Sequence, residues 1–102
     1  MTMAQERTWF GVSTSGAPEA LRARSERFFE GATGRGLSER LASAGQSALV
    51  AAMDDGGARA AALDLLAADA LITLALLLAA ETDPASLGGA AVALRRQATP
   101  TT

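Results

Sequence analysis

Cysteine, histidine, lysine and tyrosine are all absent from this chain. Without cysteine there is neither a disulfide framework nor a thiolate, and the redox compartment leaves no mark on the sequence. Without histidine the commonest general base, metal ligand and near-neutral pH switch are gone. Carboxylates, hydroxyls and arginine remain for acid–base or covalent work, and they form no recognisable constellation. These absences describe a non-enzymatic chain with no catalytic residues, no cofactor and no metal. Strand formers are scarce as well, with one isoleucine and three valines. All nine cations are arginine, a usage that a GC-rich coding genome accounts for.

Net charge is −2, with both signs mixed along the first half. A nucleic-acid binder concentrates positive charge on one face, so nucleic acid is not an expected partner. The polar residues 1–7 run directly into Trp9 without the apolar stretch of a secretory signal, and a cytoplasmic location is the default expectation.

Alanine and leucine dominate what is present, and both favour helix. At 102 residues the chain supports one domain. The pattern predicts an all-α fold, a small four-helix bundle-like domain whose third helix is central and most apolar. Residues 1–16, rich in Gly, Ser and Thr, are expected to lie extended; residues 17–97 form the helical domain, and 98–102 a disordered tail.

The first expected helix starts near Ala17, with Ser15 as N-cap and Pro18 in the first turn, and ends near Glu30 before Gly31, Gly34 and Gly36. Leu21 and Phe28 would mark its buried side, and Glu19/Arg22 and Arg22/Glu26 its paired, exposed side. The second runs from Leu37 or Ser38 to Met53. Its stripe is Leu37, Leu41, Ala44, Ala48 and Ala51, widened by Leu49, Val50 and Met53. Small residues at Ala44, Gly45 and Ala48 would let a neighbouring helix come close. The third helix, Ala58 to Glu81, has no charge between Asp69 and Glu81, and Thr73 is the one polar side chain there. After Asp83-Pro84 a fourth helix would reach Gln97, with Leu87, Ala91 and Leu94 inward.

Several features invite functional readings. Glu26 and Glu30 share a helix face, but metal-binding bundles add a Glu-x-x-His element, so a solvated face is expected. The glycine-rich 31–36 segment lacks the strand and the Lys-Ser/Thr of a phosphate-binding loop and reads as a linker. Trp9-Phe10 either docks into a partner's pocket or folds back to plug one end of the bundle. Trp9-Phe10-Gly11 also spells the Trp-x-Gly of small secreted helical-hairpin proteins. There, however, the triplet sits in a mid-chain turn and a C-terminal tyrosine signal accompanies it, so the chain is read without a family. Asp69 is either a carboxylate in an apolar pocket or a group paired with arginine or facing solvent at a groove.

The third helix carries the functional expectation. Its three neighbours are short and alanine-rich and offer little area to cover it. The surplus apolar surface predicts a helical interaction or assembly protein, a homo-oligomer or one that docks on a protein partner, with Leu74 and Leu77 among the residues responsible. The alternatives are a small membrane-associated protein anchored by the same helix, and a carrier of a small apolar ligand with Asp69 orienting it inside the bundle.

Overall fold

The computed structural model describes residues 2–54 and 56–82, together with Val92, Arg95 and Arg96. The protein is all-α, and the described residues form four helices in chain order: α1 (Met3–Ser13), α2 (Glu19–Gly31), α3 (Leu37–Asp54) and α4 (Ala58–Thr82). The first three helices expected from the sequence are α2, α3 and α4. The further helix expected after Asp83-Pro84 and the tail at 98–102 lie outside the described residues, Val92, Arg95 and Arg96 apart.

The leader expected to lie extended is instead α1. Its start is a capping box: the Thr2 hydroxyl accepts from the Gln5 backbone N–H at 3.1 Å, and Gln5 Oε1 accepts from the Thr2 N–H at 2.7 Å. Two donors that a helix start leaves orphaned are thereby satisfied. Gly11 inside this helix costs about 1 kcal/mol relative to alanine, and docking of one side outweighs it. Phe10 is buried and its ring stacks on Phe29 of α2, with centroids 4.4 Å apart and planes 5° from parallel. Thr14 ends the helix, its backbone N–H and its hydroxyl both donating to the Phe10 carbonyl.

Ser15 does not cap α2, because its hydroxyl donates to the Val12 carbonyl at 2.8 Å; Pro18 holds the cap position without a side-chain bond. The buried side of α2 is Ser25 and Phe29, while Leu21 and Phe28 are half-buried flanks. Of two adjacent phenylalanines, the one that meets Phe10 takes the interior. Among the described residues Glu19, Arg22 and Glu26 are not paired with one another; the pairs Arg7–Glu30, Arg24–Asp64 and Arg40–Glu6 run between helices.

Arg40, one turn into α3, is 6% exposed. Its guanidinium lies 4.1 Å from the Phe29 ring centroid, a cation–π contact. Its Nε donates to the Ala32 carbonyl at 3.3 Å, and Nη1 approaches Glu6 Oε2 at 3.8 Å. Phe29 is thus held between Phe10 and Arg40, which joins α1, α2 and α3. Gly34 is required here, since a Cβ at that position would lie 2.7 Å from the Arg40 backbone nitrogen.

Helices α3 and α4 form an antiparallel hairpin with the most extensive helix–helix packing in the fold. Leu37, Leu41, Ala44, Gly45, Ala48 and Ala52 of α3 are buried with Ala67, Ala68, Leu71, Ala75 and Ala79 of α4. The expected close approach occurs at Gly45, where an added Cβ would sit 2.6 Å from Ile72 Cγ1. The Ser38 hydroxyl donates across the seam to the Ala75 carbonyl at 3.1 Å. Val50 and Met53, expected to widen the buried stripe, are exposed, because the stripe turns toward Ala52 in the last turns.

Two outcomes follow from this packing. Gly45→Val gains helix propensity but drives a branched side chain into stiff, β-branched Ile72, and it is expected to cost about 2 kcal/mol in urea denaturation. Phe10→Ala removes the ring that docks α1 and is expected to cost about 3 kcal/mol. It also shifts the emission of Trp9, the one tryptophan, to the red.

Candidate interaction surface

Helix α4 is apolar on nearly every side, yet only part of it is covered. Its inward residues are Asp64, Ala67, Ala68, Leu71, Ala75 and Ala79. Ala62, Leu65, Leu66, Asp69, Thr73 and Leu77 are exposed and repeat at intervals of three or four, so they share the opposite face. Leu65, Leu66 and Leu77 are 51%, 54% and 55% exposed, in a protein whose largest core side chains are buried outright. The face continues through half-buried Leu76 and Ala80 and is bounded by Arg59 at one end and Glu81 at the other, both exposed.

Leu77 therefore lies on the free surface, whereas Leu74 does not: it is half-buried against the core. Asp69 is exposed, as in the solvent-facing of its two readings, and does not sit in an apolar pocket. The buried acid is Asp64, 2% exposed, with Oδ1 3.3 Å from Arg24 Nε. Five residues at 100° each place the two carboxylates about 140° apart. Asp64 shares its side with Leu71 and Ala75, and Asp69 shares its side with Leu65 and Leu66. Because Asp69 faces outward, it does not orient a ligand within the bundle.

The aromatic pair divides in the same way. Phe10 is spent in the core, and Trp9 is half-buried against it, so the pair folds back onto the helices. Trp9-Phe10-Gly11 lies within α1 and forms no turn. Beside Phe10 a cleft of about 110 Å³ opens between α1 and α2, lined by Arg7, Thr14, Arg22, Glu26 and Glu30 among others. That is well below the roughly 300 Å³ at which small-molecule sites begin. Glu26 and Glu30 are exposed, Glu30 lies 3.7 Å from Arg7, and no metal-binding cluster occurs among the described residues. Arg40 was not singled out in the sequence. Its clue is a cation one turn after Gly36, at the same helical register as the apolar Leu37, Leu41 and Ala44.

Comparison of the chain with family models, with curated proteins and with solved structures finds no match.

The rotation of α4 is testable. Arg24→Met leaves the Asp64 carboxylate buried without its arginine and is expected to cost about 3 kcal/mol. Combining it with Asp64→Leu removes both charges, and thermal denaturation should show the pair recovering most of that loss.

Proposed function

We propose that this chain is a non-enzymatic helical interaction protein that associates, with itself or with a protein partner, through the outer face of α4. The observation that carries the reading is the exposure of Leu65, Leu66 and Leu77 along one side of a helix that is otherwise the middle of the core. In the most apolar 18-residue stretch of α4, mean hydropathy is 2.1 and 28% of the stretch is buried. Apolar surface gathered on one face in this way is characteristic of docking sites. The absence of histidine, cysteine, lysine and tyrosine accords with binding rather than catalysis.

A second reading has its own support, since α4 is 25 residues long and apolar enough to cross a bilayer. Against it stands the Arg24–Asp64 pair, which fastens α4 to a charged neighbouring helix. Spanning a membrane would pull Asp64 from Arg24 and leave Asp64 and Asp69 in hydrocarbon, at about 2.5–3.5 kcal/mol for each centrally placed carboxylate.

Multi-angle light scattering separates the possibilities. The expected mass exceeds the 10.3 kDa of one chain, or a protein partner is retained. Leu66→Glu with Leu77→Glu is expected to abolish the association while leaving helicity by circular dichroism unchanged, because both side chains are exposed. Flotation of the wild-type protein with lipid vesicles, unaffected by carbonate, would transfer the reading to a membrane anchor.

A further inference from the structure

The outer face of α4 has an order that reads nearly the same in both directions about the level of Leu71. Leu65 and Leu77 stand equally far from that level, as do Leu66 and Leu76, Ala62 and Ala80, and Asp69 and Thr73. Its end charges are opposite, Arg59 and Glu81. Resting on the reading of α4 as a docking face, we propose that its occupant is α4 of a second copy, paired antiparallel about a two-fold axis at the level of Leu71.

This arrangement gives each exposed residue a suitable counterpart. At either end of the contact Leu65 and Leu66 meet Leu76 and Leu77 of the other copy in a four-leucine layer. The alanines at positions 62 and 80 oppose each other and let the helices come to the usual 8–10 Å separation. Near the axis the Thr73 hydroxyl of one copy donates to the Asp69 carboxylate of the other, so the one acid in the stripe is solvated by the dimer itself. A polar pair at such a seam position fixes register at some cost in affinity. At the ends, Arg59 reaches Glu81 of the other copy, and symmetry makes that ion pair twice. The stripe between them is about 33 Å long at 1.5 Å per residue.

Charge also selects the orientation. A parallel pair would place Arg59 on Arg59, Asp69 on Asp69 and Glu81 on Glu81, a repulsion at all three levels. An unrelated apolar surface would offer no hydroxyl to Asp69 and no acid to Arg59, and a bilayer would leave Asp69 in hydrocarbon. The mirrored order has a physical use where the same helix is met running the other way.

Since the chain has no cysteine, introduced thiols report the register directly. Leu66→Cys and Leu77→Cys chains are prepared separately, mixed and oxidised. The proposal expects a disulfide-linked dimer from the mixture and almost none from either chain alone. Efficient linkage of Leu66→Cys with itself would overturn the antiparallel register while leaving α4 as the docking face. Alongside, Arg59→Glu should weaken dimerisation about tenfold, as two surface ion pairs turn into repulsions, and adding Glu81→Arg to the same chain should restore it. Both positions are exposed, so the fold itself is not at stake. A single-chain mass at millimolar concentration overturns the second copy as occupant. The docking face is then judged separately, by whether the wild-type protein retains a protein partner that the Leu66→Glu, Leu77→Glu protein loses.

Discussion

A helix with leucine and alanine on nearly every side has little hydrophobic preference for which side it turns inward. In α4 that choice falls to a few polar and steric constraints, of which the Arg24–Asp64 ion pair is the most demanding. A carboxylate 2% exposed needs a charge partner, and Arg24 on α2 supplies one. The pair fixes the rotation of α4 about its own axis. Gly45 admits Ile72, and Ser38 reaches the Ala75 carbonyl, at that same setting. Everything about the outer face follows, including which leucines meet water and why Asp69 stands among them.

The other end of the bundle is organised around the Phe29 ring. Phe10 covers one of its faces and the Arg40 guanidinium the other, so one side chain joins three helices. Arginine suits this position because its planar cation stacks on the ring while its edge still donates to the Ala32 carbonyl. Glu6, brought in by α1, balances the buried charge. The aromatic layer and the Arg24–Asp64 pair both involve α2, which is thereby tied to the N-terminal helix and to the hairpin alike.

Much of this fold was legible in the sequence, and the failures have identifiable causes. The hairpin was readable because α3 carries a clear 3.6-residue stripe and Gly45 marks a close approach. α1 was missed although Thr2-x-x-Gln5 spells a capping box, because Gly11 and the polar run around it looked like a leader. Phe28 was preferred to Phe29 because spacing alone cannot choose between adjacent aromatics, and the choice depends on Phe10 from another helix. The uncovered surface of α4 was legible as a shortage of apolar area in its neighbours. Its orientation was not: Asp64 and Asp69 look equivalent in a linear sequence, and the position of Arg24 decides between them.

The way α1 is attached has a consequence in time. The α3–α4 hairpin is local in sequence, joined by the short connection 55–57, and such contacts close early in folding. α1 instead docks by a single ring and the Arg40 cluster and sends few other groups into the core. It belongs to the low-energy end of the openings a native protein samples. Each such opening strips Glu6 from a buried arginine and bares one face of Phe29, which favours rapid reclosure over persistent release. The N-terminal helix therefore behaves as a fast latch on a slower-moving hairpin.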